Sequence, residues 1–222
     1  MPLETKKRYL QIAFNGDLQQ VATLLPKIPQ DDRILIEAGT PFIKKYGESG
    51  IRFIRRIWPG YLVSDIKTVD GAVGEVAESC ASGANGATVI GSAPIETINL
   101  FIEACKQVGM DSFLDMINVD KPFQVLRRLK HPPTVVILHL GRDEETAKGK
   151  SIQYRNLSRI KGKYGILISA AGGVHLKEAQ SASFNGADIV VVNVVSPSDP
   201  WKGIKSTDTM DKMAMEFLKS ID

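Results

Sequence analysis

The hexapeptide Asp65-Ile66-Lys67-Thr68-Val69-Asp70 brings two carboxylates and an ammonium together at the end of the aliphatic run Tyr61–Ile66. Residues two apart on a strand share a face, so Asp65 and Lys67 are expected to point the same way. A lysine between carboxylates stays protonated, and it can protonate a carbanion or stabilise an enolate oxygen. The competing reading is a salt-bridged loop. Glu37 directly follows Ile34-Leu35-Ile36, and Asp65 follows Leu62-Val63-Ser64. Carboxylates in buried strands are costly unless paired or metal-bound. Glu37 and Asp65 are therefore a candidate two-carboxylate site for Mg2+, which takes oxygen ligands and keeps several waters. The alternative is a brace of each carboxylate to Lys67 or to a backbone amide. His139 closes the run Thr134–His139 and is a candidate general base, although a lone strand-end histidine is often structural. Arg142 follows three residues later. His131, before two prolines, reads as a surface loop residue, and His175 as solvent-exposed. Ala171-Gly172-Gly173 would let backbone N–H groups approach a phosphate, though a tight turn needs such glycines anyway.

These residues sit at the ends of eight short apolar runs: Tyr9–Phe14, Arg33–Glu37, Tyr61–Ile66, Ala87–Ile90, Ser112–Ile117, Thr134–His139, Gly165–Ala170 and Asp188–Val192. Their starts lie 22 to 31 residues apart, the size of a strand, a helix and two loops. The runs are nearly continuous in apolar residues, as parallel strands buried on both faces are. Helical patterns lie between them at Leu18–Ile28, Phe42–Ile57 and Ile95–Val108. Eight strands alternating with helices, with no linker, predict α/β architecture as a single (β/α)8 TIM barrel spanning residues 1–222. A doubly wound open sheet is the alternative. In such a barrel, polar groups at the C-terminal strand ends face the catalytic mouth. Asn15 ends the first strand, Asp115 lies on the fifth, and Asn193 follows the eighth. A last helix is expected at about 208–221, packed by Met210, Met213, Met215, Phe217 and Leu218.

The 222 residues are 43% hydrophobic and 24% charged, which excludes disordered and low-complexity classes. A net charge of +3 is too small to predict a nucleic-acid partner. No stretch approaches the ~20 apolar residues of a membrane span. Cys80 and Cys105 lack metal-ligand spacing and make no disulfide framework, so a cytoplasmic location is expected. The basic N-terminus meets only a short apolar run before Asn15-Gly16-Asp17, and that run reads as a first strand rather than a signal peptide.

Taken together, YLQIAFN, IEAGTPFIKKYG, VSDIKTVD, GSAPIETI, DMINVDKP, ILHLGRDEE, AAGGV and GADIVVV resemble the orotidine 5'-monophosphate decarboxylase superfamily. The nearest likeness is to 3-hexulose-6-phosphate synthase, as the domain that archaea fuse to a formaldehyde-activating enzyme. It runs from Tyr9 to about Pro200. The resemblance implies a homodimeric barrel with shared active sites, acting on a sugar phosphate. In this family formaldehyde and ribulose 5-phosphate are joined through a Mg2+-stabilised enediolate; the related 3-keto-L-gulonate-6-phosphate decarboxylases reach a similar enediolate by losing CO2. By the same likeness, Glu37 and Asp65 match the metal-binding carboxylates. Lys67 matches the lysine that stabilises the enediolate, and Asp70 the aspartate that reaches the neighbouring subunit's site. His139 matches the proton-transferring histidine. Arg142 falls where the gulonate decarboxylases carry arginine. Asn15, Gly172, Gly173 and Asn193 fall at substrate-binding positions.

Two departures stand out. Asn15 replaces the family's usual aspartate and cannot act as a base. Asn193 and Val194 replace a glycine and arginine that grip the substrate phosphate, so a charge-assisted contact is lost. Lys202 and Lys205 are candidates to substitute. Three readings follow: a synthase-type metal-dependent lyase, a related lyase or decarboxylase for a different substrate, phosphorylated or not, or a non-catalytic paralogue.

Overall fold

The computed structural model describes residues 3–145, 151–154 and 157–222. Its strands are β1 (Tyr9–Phe14), β2 (Ile34–Ala38), β3 (Tyr61–Thr68), β4 (Gly86–Ile90), β5 (Asp111–Asp115), β6 (Val135–His139), β7 (Leu167–Ala171) and β8 (Ile189–Val195). All pair in parallel in sequence order, and β1 also pairs with β8. The sheet is thus a closed eight-stranded barrel, as the rhythm of apolar runs predicts. An unforeseen short strand, β9 (Ile204–Lys205), adds to β8 beside Val194 and Val195.

Alternation along each strand divides two apolar layers. In β1, Tyr9 and Ala13 join the lumen with Leu35, Val63, Phe113, Val135, Ile189 and Val191. Leu10, Ile12 and Phe14 face the helices. That is why the strands read as continuous apolar runs. The lumen is packed below, so the polar residues of the same inward rows collect above it, at the C-terminal ends.

The helices are α1 (Leu18–Leu24), α2 (Thr40–Ile57), α3 (Ala72–Ala81), α4 (Ile95–Val108), α5 (Pro122–Leu126), α6 (Arg142–Glu145), α7 (Leu157–Tyr164), α8 (Leu176–Phe184) and α9 (Met210–Ile221). The first is shorter than its apolar pattern, because Pro26 turns the chain into a 3-10 turn at Leu25–Lys27. In α2, Gly47 adopts φ 56°, which divides the helix in two and explains the mixed spacing of its isoleucines. The terminal helix begins at Met210 rather than 208 and buries Met210, Ala214, Phe217, Leu218 and Ile221. Met215 departs from expectation: it is 40% exposed, because it lies off that stripe. Arg8 fastens this helix by donating to Ser183 Oγ and to the Ile221 carbonyl.

Candidate active site

The mouth of the barrel is organised by an irregularity in β3. Ser64 pairs with Ala87 and Thr68 with Val89, so three residues, Asp65 to Lys67, oppose Thr88 alone. The bulge puts Lys67 at φ 49°, a left-handed conformation that costs a lysine on the order of 1 kcal/mol. Such strain persists only where its surroundings hold it. Thr88 does so, since its Oγ1 accepts from the Lys67 amide at 2.9 Å and donates to Asp65 Oδ1 at 2.9 Å. Asp65 and Lys67 thus converge, as their spacing suggests, but through a bulge rather than simple alternation.

Lys67 Nζ donates to Asp65 Oδ1 at 3.0 Å and to Asp115 Oδ2 at 2.6 Å. Asp115 is fully buried, and His139 Nδ1 lies 3.0 and 2.9 Å from its two oxygens. Nδ1–H therefore donates to the carboxylate, which leaves Nε2 as the nitrogen available for proton transfer. The Ile117 amide donates to Asp115 Oδ1 at 2.9 Å. Burial alone would push the Asp115 carboxyl up, but the neighbouring His139 and Lys67 outweigh it and hold it well below the usual range. Burial also opposes charge on Lys67, yet Asp65 and Asp115 raise its pKa and keep it an ammonium. Asp115 is thus the hub of the network. In the sequence it shows only as an acid closing the apolar Ser112-Phe113-Leu114, and the fold gives it this role.

Glu37 is 8% exposed, and its Oε2 accepts from Gln11 Nε2 at 2.5 Å. Burial, reinforced by the charge of Asp65, pushes its carboxyl up to about 7. Gln11 shows in the sequence only as a lone amide inside Tyr9–Phe14. Asp65 Oδ2 accepts from Thr40 Oγ1 at 2.6 Å. The brace of Asp65 to Lys67 is therefore real, whereas Glu37 Oε1 has no hydrogen-bond partner among the described residues. Those residues contain no cluster of three or more His, Cys, Asp or Glu side chains able to hold a metal.

The other predicted positions lie around this centre. Asn15 Nδ2 donates to Asn193 Oδ1 at 3.0 Å, joining β1 to β8. Gly172 has φ 99°, and a Cβ there would sit 2.0 Å from the Leu140 carbonyl, so no other residue fits. Gly173 has φ 60°. Asp70 is exposed beyond the end of β3, flanked by exposed Val69 and Val73. Arg142 is not in the Lys67–Asp115–His139 network; its guanidinium lies 4.3 Å from the Trp201 ring centroid. Lys205 donates to the carbonyls of Asp199 and Trp201, and Lys202 pairs with Glu178, so neither stands free to replace the lost arginine. His175 is only half-exposed, because its Nδ1 caps α8 by accepting from the Lys177 amide. A cleft of about 730 Å³ opens beside His139, lined by Met116, Asn118, Leu138 and Leu140.

A closed parallel barrel with a charged lysine, two carboxylates and an oriented histidine at its C-terminal mouth is built to carry a carbanion or enolate. Residues 8–193 match the orotidine 5'-phosphate decarboxylase / HUMPS family, and the chain belongs to that family. It is 40% identical over 186 residues to the bifunctional enzyme Fae/Hps of Methanothrix thermoacetophila, covering 83% of this chain and 47% of that protein. It is 37% identical over 199 residues to Fae/Hps of Methanocaldococcus jannaschii, covering 89% and 50%. The chain thus spans about half the length of these curated relatives. Among solved structures, 3-hexulose-6-phosphate synthase from Salmonella typhimurium superposes with TM-score 0.82 at 25% identity, covering 96% of this chain and 98% of that one. The 3-keto-L-gulonate-6-phosphate decarboxylase of Vibrio cholerae shares the fold, with TM-score 0.75 at 20% identity over 98% of this chain and 98% of that one.

Proposed function

We propose that the chain is an aldehyde-lyase of 3-hexulose-6-phosphate synthase type, joining formaldehyde to ribulose 5-phosphate. The observation that carries this reading is the Lys67 ammonium fixed between Asp65 and Asp115, with Asp115 orienting His139. In this reading His139 Nε2 removes a proton from C1 of the ketose. The Lys67 ammonium faces the negative charge that develops on the C2 oxygen. The C1 carbon then attacks formaldehyde, and the new alkoxide takes back the proton from His139. One carbon added at C1 moves the carbonyl from position two to position three, so the product is a 3-hexulose 6-phosphate. Asp115 keeps its negative charge throughout and stabilises the imidazolium between the two proton transfers.

A divalent cation fits the donor set. Glu37 offers an oxygen without a partner and Asp65 lies beside it. Two carboxylates with the remaining positions left to water and substrate suit Mg2+. Glu37 and Asp65 would hold it, and when bound it would offset charge on the vicinal oxygens of the enediolate. Asn15, Asn193, Gly172 and Gly173 would line the substrate's path. The exposed Asp70, between apolar Val69 and Val73, supports a homodimer in which Asp70 completes the neighbouring site. The two free thiols, Cys80 and Cys105, are consistent with a cytoplasmic setting.

Incubation of the protein with formaldehyde, ribulose 5-phosphate and Mg2+ should yield a hexulose phosphate, detectable by 13C NMR with labelled formaldehyde. No product, together with no rise in melting temperature on adding ribulose 5-phosphate, would overturn the reading. A second reading is favoured by one feature. Val194, which the resemblance sets at the position of a phosphate-binding arginine, is buried and apolar, and Asn193 is engaged by Asn15. A lyase with the same network but an unphosphorylated substrate would bind Mg2+ yet gain no stability from any phosphate ester.

A further inference from the structure

A phosphate ester carries roughly −1.5 to −2 charges at neutral pH and needs a cation where it binds. The floor of the mouth has none to spare, since Lys67 is already shared by Asp65 and Asp115. The rim does. The amides of Gly172, Gly173 and Val174 donate no hydrogen bond to any described residue, although Gly173 and Val174 are buried. Buried amides are rarely left unpaired in a folded protein. Three consecutive ones in a turn with φ 99° and 60° at its glycines form a concavity suited to an anion.

Two segments flank this turn and meet each other at Arg142 and Trp201. From the β6 side, Leu140 presses on Gly172, and Arg142 follows two residues later, within about 7 Å of chain. From the β8 side comes the loop 196–203. Its far end rests on Asn193, where a Cβ at Gly203 would come 2.3 Å from the carbonyl. Lys202 Nζ reaches Glu178 Oε1 at 3.0 Å in the first turn of α8. Lys205 closes the loop through the carbonyls of Asp199 and Trp201. The loop therefore runs from β8 to the first turn of α8, the helix that follows this turn, and sets the Trp201 ring against Arg142. Among the described residues, Arg142 has no carboxylate partner.

We propose that Arg142, held on the face of Trp201, is the cation that binds the phosphate of the substrate above the Gly172–Val174 amides, in place of the arginine that Val194 displaces. An arginine stacked on an aromatic ring keeps its N–H edge free for an anion, which is why the indole is a platform rather than a competitor. The identity of the ester rests on the synthase reading; the anion site itself does not. The same assignment makes Arg142 a binding group rather than a proton-transfer group.

The test measures binding separately from turnover, with inorganic phosphate and ribulose 5-phosphate titrated by calorimetry into wild type, Arg142→Met, Arg142→Lys and Trp201→Leu. Loss of a charge-assisted contact should weaken both ligands roughly 10- to 100-fold in Arg142→Met. KM should rise by the same factor and kcat should change less than about threefold, the pattern of lost uniform binding. Arg142→Lys should restore part of the affinity, and Trp201→Leu should lower it with Arg142 intact. If wild type binds phosphate and Arg142→Met does not, the proposal stands even where formaldehyde is never fixed, and only the synthase reading fails. If Arg142→Met keeps wild-type affinity and KM, or changes only kcat, the proposal is overturned. Wild type that binds neither ligand overturns it as well.

Discussion

Lys67→Met should lower kcat roughly 100- to 1,000-fold, the range lost when one preorganised donor to a developing oxyanion is removed. The ammonium is fixed by two buried carboxylates 3.0 and 2.6 Å away, so no water or neighbouring cation can take its place without rearrangement. KM should move little, because the interaction strengthens only as charge develops on the substrate. The variant should also be less stable. Removing one partner of a buried ion pair leaves the other uncompensated, at a cost of about 3–5 kcal/mol where burial is complete. Lys67 is 22% exposed, which places the loss below that range. Steady-state kinetics beside a thermal melt read both effects. Wild-type kcat in a folded Lys67→Met protein would remove the ammonium from the chemistry.

Glu37→Gln should act in the opposite sense on stability. In the folded chain the Glu37 carboxyl is pushed up to about 7 from an ordinary 4.5. Between those values the folded state keeps a proton that the unfolded chain releases, so stability falls as pH rises through that window. Above it the penalty is full. A shift of that size corresponds to about 3 kcal/mol. Glutamine carries no charge and still accepts from Gln11. Without divalent cations, Glu37→Gln should therefore be the more stable protein at pH 8 by roughly 2–3 kcal/mol. At pH 4.5 the two should be equal. Mg2+ should raise the melting temperature of wild type at pH 8 and leave the variant unmoved. Equal stability of both proteins across the whole range would show that Glu37 is not under strain from burial.

The architecture was legible because strands buried on both faces write themselves as apolar runs, and eight of them at βα spacing close a barrel. The acids Glu37 and Asp65, with Lys67 and His139, were legible because each lies at or beside the end of such a run. The hub was not. Asp115 gains its role from Lys67, on β3, and His139, on β6, two strands that do not pair with each other, and no local pattern reports that proximity. The β3 bulge was hidden for the same reason, since register is set by the partner strand. The rim was less legible for a different cause. Lys202 and Lys205 have the right charge, but the loop that carries them spends their ammonium groups on its own carbonyls and on Glu178. Arg142, matched by resemblance to an arginine of the gulonate decarboxylases, stacks on an indole fifty-nine positions away, a contact no local pattern reports.

Ionisation of C1 of a ketose phosphate by this cluster is open to proton exchange, which needs no second substrate. Ribulose 5-phosphate incubated with the protein and Mg2+ in D2O should lose one of its two C1 proton signals by NMR, on the timescale of turnover. Binding of ribulose 5-phosphate with both C1 protons retained would mean that the cluster does not ionise C1.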